Sequence, residues 1–315
     1  MNRKAALIVA LVFVLALGVE YVVLTRLTKQ AAVMPPISPT STPTQPTPVA
    51  EEIAPATKTA EIPRPGASPY TLPVSMGNLG PRLVEAGAID LERFIQLYER
   101  SGTPLTAEQL ALLTESSSAN LVVDPSNAHF LLNLFWALGL TNRNPILTEG
   151  PMITYGEGRI ERFASTGGWT IGTQAAADLY ASEELTSLTS TQLLRLETVA
   201  HGVFRPCCNN PTDFPDCNHG MAMLGLLELL AAADATEDEM YAAAKAVNAV
   251  WFPAQAAEIA LYAKHALSTD WEDAAPELVV GPELASGAGF QNVHQWLGTR
   301  GLLPTLPGGG DGCGL

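Results

Sequence analysis

Cysteine and basic residues are scarce in this 315-residue chain, and the two shortages exclude one class of scaffold and one class of partner. Four cysteines are too few for a small scaffold held together mainly by disulfide bonds. Seventeen Lys and Arg residues against 32 Asp and Glu residues give a net charge of −15. Nucleic acid is therefore excluded as the main partner, because it binds clustered basic residues. The apolar fraction of 47% is large enough for a real core, so the chain is not disordered throughout.

An almost uncharged run dominates the N-terminus. Ala5 to Thr25 is interrupted only by Glu20, and its length suits a helix that crosses the hydrocarbon core of a membrane. Residues 1–30 are predicted to form a single-pass transmembrane signal anchor. A cleaved signal peptide is the alternative, because Ala5 to Val19 also has the length of a signal-peptide core. In both cases the bulk of the chain is expected outside the cytoplasm.

Proline and threonine dominate the next segment. Eleven prolines fall between Met34 and Ser75. Proline removes amide donors and fixes φ, so such a segment favours extended, polyproline-like conformations over a packed core. Residues 31–75 are therefore predicted to be a disordered Pro/Thr-rich linker between the anchor and the remaining domain.

Residues 76–315 have the patterns of a mainly α-helical extracytoplasmic domain with about eight or nine helices. Leu83 to Arg100 carries an apolar stripe of helical period. An N-cap threonine followed three residues later by Gln or Glu predicts helix starts at Thr106 and Thr236. The apolar run from Asn127 to Leu138 is expected to end at Gly139.

Two parts of this domain depart from a simple helical pattern. Asn144 to Gly172 contains six glycines among aromatic and β-branched residues, which predicts a Gly-rich loop or a small hairpin inserted between helices. Glu228 is the one charged residue in the apolar stretch from Met221 to Leu230. Because carboxylates are seldom buried without a partner, it is expected to face solvent.

Residues 201–219 concentrate the reactive side chains of the chain. They contain three of the four cysteines and two of the five histidines, namely His201, Cys207, Cys208, Cys217 and His219. Three prolines stiffen the loop that joins two predicted helices, which leaves little entropy to lose on ligand binding. Thiolate and imidazole are ligands for copper and zinc, so these five residues are predicted to form a metal site. Glu197, four residues before His201, is expected to orient its ring.

The sequence leaves the metal open. Zinc would use the three cysteines and one histidine, whereas copper would combine Cys217 with a histidine and a methionine such as Met221 or Met223. The cysteine spacing matches no standard zinc-finger, haem c or ferredoxin pattern. Whether the metal is structural, carried or catalytic is equally open.

Two other interpretations of the same residues remain. Export favours disulfide bonds, so Cys207 or Cys208 paired with Cys217, and the other paired with Cys313, would make a disulfide-stapled interaction module without catalysis. Cys217 at a helix start could instead be the nucleophile of a thiol-based redox or hydrolytic enzyme. No protein partner or substrate is indicated by any motif.

Overall fold

The structure of the protein, a computed structural model, describes residues 63–304. The predicted anchor, residues 31–62 of the predicted linker, and Cys313 lie outside the described residues. Within the described part, no helix is both long and apolar enough to cross a membrane.

The described residues form a mainly helical domain, as predicted, and they also contain one pair of strands. The strands are β1 (Tyr70–Gly77) and β2 (Ser117–Val123). The helices are α1 (Leu79–Glu85), α2 (Leu91–Arg100), α3 (Ala107–Thr114), α4 (Ala128–Thr141), α5 (Pro145–Thr148), α6 (Pro151–Gly156), α7 (Ala164–Gly167), α8 (Ala176–Leu179), α9 (Ser190–Gly202), α10 (Asn218–Ala232), α11 (Glu237–Trp251), α12 (Pro253–Ala266), α13 (Pro276–Val279), α14 (Pro282–Ala285) and α15 (Gly287–Gly298). This is more than the eight or nine expected, because many are single turns.

The two strands pair in an antiparallel manner although three helices separate them in sequence. Leu72, Val74 and Met76 of β1 alternate with more exposed residues and are buried in the core. Residues 70–75, which were included in the expected linker, form the first part of β1. The strand pair also lies outside the Gly-rich segment, where the small hairpin was expected.

Local capping motifs predicted helix starts well. Thr106 and Gln109 form both reciprocal hydrogen bonds of a capping box at α3, and Thr236 and Glu239 do the same at α11. Such motifs succeed because they satisfy the free N–H groups of the first turn with side chains a few residues away.

Two predictions for segments that contain glycine were wrong. The stripe from Leu83 to Arg100 is two helices, because the chain turns at Gly87 with a φ of +74° and Asp90 caps α2. The Gly-rich segment from Asn144 to Gly172 contains short helices and one 3-10 turn, Ile160–Arg162, in place of a hairpin.

Helices α4 and α10 cross at the centre of the main core. Nearly every residue of both helices is buried, which fits their apolar character on all sides. Gly139 and Gly225 lie at the crossing, where a Cβ on Gly139 would overlap the carbonyl oxygen of Met221 and one on Gly225 that of Phe135. Gly139 therefore permits close packing and does not end α4, which continues to Thr141.

Glu228 is fully buried on α10, which contradicts the expected solvent-facing position. The side-chain amide of Asn144, just beyond α4, donates a hydrogen bond to Oε1. Burial raises the pKa of Glu228 well above its usual value of 4.5, and the hydrogen bond opposes that shift only in part. Glu228 is therefore the protonated, uncharged acid over the pH range between its unfolded and its folded pKa.

This burial predicts a pH-dependent stability that Glu228→Gln removes. A raised folded-state pKa contributes stability that is fully present below the unfolded value near 4.5 and is lost as the pH rises through the folded pKa. We expect the free energy of unfolding of the wild type to fall relative to Glu228→Gln as the pH rises above about 5. Urea titrations at several pH values, with the exposed Glu99→Gln variant as control, measure this difference. A difference that does not change with pH would show that Glu228 is not held protonated.

Candidate metal centre

The cysteines lie in the segment that joins α9 to α10, called here the cysteine loop (residues 203–217). Neighbouring elements hold it at several points. Asn248 of α11 donates to the carbonyl of Phe204, and the N–H of Phe204 donates to the carbonyl of Val280, beside α13. The N–H of Gly287, at the start of α15, donates to the carbonyl of Cys208 at 2.7 Å. A loop tied to three other helical segments presents its side chains in fixed positions.

Arg205 organises the cysteine loop from within. Its side chain is only 1% exposed. Nε donates to the Cys217 sulfur at 3.2 Å, and Nη1 donates to the carbonyl of Asn210 at 2.8 Å. Nη2 donates to the carbonyl of Phe214 at 3.2 Å and to the Asp216 carboxylate at 2.9 Å. One guanidinium thus joins both ends of the loop through four charge-assisted hydrogen bonds.

The start of α10 completes this arrangement. Cys217 is the N-cap of α10, and its sulfur accepts the N–H of Gly220 at 3.4 Å. A Cβ on Gly220 would overlap the guanidinium of Arg205, so the glycine leaves the space that the arginine fills. The sulfur of Cys217 therefore faces two N–H donors, one from a positive side chain and one from a helix N-terminus.

Cys207, Cys208 and Cys217 form a single cluster of sulfurs. Their Sγ atoms all lie within 4.8 Å of one another, and those of Cys207 and Cys217 are 3.7 Å apart. All three thiols are free and half-buried. Sulfurs that share a tetrahedral zinc ion at about 2.3 Å lie about 3.8 Å apart, whereas a disulfide bond is about 2.05 Å long. The Cys207–Cys217 distance is thus close to that of two sulfurs sharing a zinc ion, and the three cysteines are a possible metal site.

The hydrogen bonds among the three thiols give them different pKa values. Hydrogen bonds from Cys207 and Cys208, aided by the charge of Arg205, hold the pKa of Cys217 well below its usual value. Donation to Cys208 and Cys217 raises the pKa of Cys207. For Cys208, the hydrogen bond with Cys207 lowers the pKa, but the one with Cys217 and burial outweigh it and raise the pKa to about 11. Of the three thiols, Cys217 is therefore the one that loses its proton most readily.

The two predicted histidines do not join the three sulfurs in this group. His219 is buried against the rings of Trp251 and Phe252, with ring centroids 5.7 Å and 4.5 Å away. Burial lowers the pKa of His219 to about 4, so its imidazole is neutral near neutral pH. Its Nδ1 lies 3.0 Å from Oδ1 of Asn218, which favours a proton on Nδ1 and leaves Nε2 with a lone pair.

His201 lies in the last turn of α9, and its side chain is 79% exposed. Its Nδ1 is 2.8 Å from the carboxylate of Asp213. The carboxylate bonded to this ring is thus that of Asp213, in place of the Glu197 expected from helical spacing. A role for His201 as a metal ligand stays a prediction.

The structure also shows the surroundings of the two methionines and of Arg205. Met221 and Met223, which were considered as thioether ligands but favoured as core residues, are buried in the main core. Arg205 was assigned no role, although it is the only basic residue between Arg195 and Lys245 in a strongly acidic chain. One positive residue close in sequence to three cysteines is the signal that could have identified Arg205 as the residue that balances the negative charge of a thiolate.

Comparison of the chain with models of protein families, with curated proteins and with solved structures found no match. Function therefore has to be argued from the site itself.

Proposed function

We propose that this protein binds a thiophilic transition-metal ion, zinc(II) in preference to copper(I), through Cys207, Cys208 and Cys217. The observation that carries this proposal is the mutual approach of three thiol sulfurs within 4.8 Å. Thiolates are the protein ligands that select zinc and copper(I) over harder cations. The cysteine loop supports the proposal because its contacts hold the sulfurs in place before any ion arrives.

Charge favours zinc(II) over copper(I). Three thiolates around a half-buried ion carry more negative charge than either ion can balance, and Arg205 supplies one further positive charge at 3.2 Å from the Cys217 sulfur. The net charge of the assembly is one unit less negative with zinc(II) than with copper(I). A smaller buried charge costs less desolvation free energy.

Zinc also needs a fourth ligand. We assign it to His219, which stands at the start of the helix that Cys217 caps; its ring nitrogens lie outside the group of three sulfurs, so the ring must turn away from Trp251 and Phe252 to bind. Its neutral ring and its hydrogen bond through Nδ1 are what a histidine ligand binding through Nε2 requires. Water is the competing fourth ligand.

The site is proposed to act outside the cytoplasm on a membrane-tethered domain. This part of the proposal is supported by the sequence alone, through the apolar run within residues 1–30 and the proline-rich segment that follows. The site would then take its ion from the extracytoplasmic medium.

The test is a metal titration of the reduced full-length protein. Zinc(II) and copper(I) are each added in competition with a chromophoric chelator. We expect each chain to bind about one equivalent of zinc(II), and to compete with the chelator more effectively for zinc(II) than for copper(I). Cys217→Ser is expected to weaken binding by at least about 100-fold, more than the loss of an outer hydrogen bond usually costs. Cys313→Ser, a cysteine substitution elsewhere in the chain, is the matched control and is expected to bind as the wild type does.

The same titration on His219→Gln identifies the fourth ligand. Weakened zinc binding supports the imidazole, and unchanged binding assigns the position to water. Equal zinc affinity of the wild type and Cys217→Ser would overturn the proposed function.

A further inference from the structure

Two of the three sulfurs are also placed to form a bond with each other. The Sγ atoms of Cys207 and Cys217 are 3.7 Å apart, so they must approach by less than 2 Å to reach the length of a disulfide bond. Cys217 is fixed as the cap of α10, whereas Cys207 lies in a turn of the cysteine loop, outside any helix. A small movement of the turn is enough to bring them together.

Cys208 is less suited to this reaction. Its sulfur lies 3.8 Å from both the carbonyl oxygen of Asn210 and the carboxylate of Asp216, which are acceptors for its proton. Asp216 also places negative charge beside it, which opposes a second negative charge on that sulfur. A disulfide between Cys208 and its neighbour Cys207 would be strained, because adjacent residues do not reach the usual geometry easily.

Cys217 has the surroundings of an attacking sulfur. Arg205 Nε and the N–H of Gly220 both donate to it, at 3.2 Å and 3.4 Å. These donors orient the sulfur and stabilise negative charge at this point.

We propose that Cys217 and Cys207 are a redox couple that a hydroperoxide oxidises to a disulfide, and that this oxidation releases the bound metal ion. The release rests on the proposed function, whereas the oxidation requires only the three-cysteine geometry. The protein would thereby hold zinc under reducing conditions and give it up when a hydroperoxide arrives.

The reaction has two steps. In the first, the Cys217 sulfur attacks the terminal oxygen of R–O–O–H, the O–O bond breaks and an S–O bond forms. The Cys217 thiol gives its proton to the medium before the attack, and the departing alkoxide takes a proton from the medium and leaves as R–OH, so that Cys217 becomes a sulfenic acid. In the second, the Cys207 sulfur attacks the Cys217 sulfur, the S–O bond breaks, and hydroxide leaves as water with the proton of Cys207.

The electrons balance in this scheme, and the loss of two cysteine ligands explains why the ion is released. The two sulfurs lose two electrons, and the hydroperoxide, the only co-reactant, gains them. Because metals bind thiolates and not the sulfurs of a disulfide, the reaction removes two of the three cysteine ligands. Cys208 and His219 are then the only two ligands left for an ion that needs four, so the ion is released.

The test uses the reduced full-length protein, metal-free and zinc-loaded, with stoichiometric cumene hydroperoxide. We expect the number of titratable thiols in the denatured protein to fall from four to two. Peptide mapping is expected to show one disulfide between Cys207 and Cys217, and a chromophoric chelator to detect about one zinc ion released per disulfide formed. Cys207→Ser is expected to stop at a sulfenic acid on Cys217, trapped by dimedone, while Cys208→Ser still forms the disulfide.

The outcomes separate the two proposals. A disulfide at any other pair, or reaction no faster than that of free cysteine, overturns the redox couple even if the reduced protein binds zinc. A disulfide between Cys207 and Cys217 in a protein that never bound zinc supports the redox couple and overturns the proposed function. Zinc that stays bound after this disulfide forms overturns the release step alone.

Discussion

Arg205→Met is expected to lower the free energy of unfolding by about 3–5 kcal/mol. Methionine resembles the unbranched aliphatic part of the arginine but has no guanidinium and no N–H groups. The substitution therefore removes four hydrogen bonds at once and leaves the half-buried carboxylate of Asp216 without its positive partner. Urea denaturation followed by circular dichroism measures the loss, and the zinc titration is expected to show weaker binding by the same variant.

The control for this prediction is Arg159→Met. Arg159 pairs with Glu157, but both side chains are more than half exposed, so this substitution is expected to change stability by no more than about 0.5 kcal/mol. Arg205→Lys separates charge from geometry, since lysine keeps the positive charge but lacks the planar fork of donors. If Arg205→Met were as stable as Arg159→Met, the guanidinium would not be what holds the cysteine loop.

Gly225→Ala is expected to lower the free energy of unfolding by about 2–3 kcal/mol and the melting temperature by roughly 5–10 °C. Alanine favours an isolated helix over glycine, so the helix itself would gain about 1 kcal/mol. The loss arises because the new methyl group meets the carbonyl oxygen of Phe135, which is part of helix α4 and cannot turn away. Helices α4 and α10 must then separate, and the contacts beside the crossing open.

Gly298→Ala is the matched control for the helix crossing. Gly298 is also a helical glycine, in α15, but a Cβ there meets only the side chain of Leu303 at an ordinary distance of 3.5 Å. Calorimetry on both variants is expected to show a lowered melting temperature for Gly225→Ala alone. Equal melting temperatures would mean that the two central helices do not approach as closely as described.

Features set by neighbouring residues were predictable. The capping boxes at Thr106 and Thr236 depend on side chains three positions away, so a short window of sequence contains all the atoms involved. The start of α12 at Pro253 and the extent of α9 follow from equally local patterns. The concentration of three cysteines in residues 201–219 likewise indicated where reactive chemistry lies.

Features set by distant neighbours were not predictable. Glu228 lies in an apolar stretch, and only the presence of Asn144 from another element explains how its carboxyl group is tolerated in the core. Gly139 is a glycine after an apolar run, which is typical of a helix end, but the helix continues because α10 crosses at that position. The pairing of β1 with β2 joins segments about forty residues apart, and no local motif encodes it.

The candidate site divides in the same way. The ligand types and their place between two helices could be read from the residues alone, which also led us to expect a membrane-tethered location. The convergence of three sulfurs, the hydrogen bond from Arg205 to the Cys217 sulfur and the exposed His201–Asp213 bond emerged from the folded arrangement. The physical reason is that hydrogen bonds within a few residues are specified locally, whereas the direction of a loop side chain depends on the elements packed around the loop. Here α11, the residues after α13 and the start of α15 fix that direction.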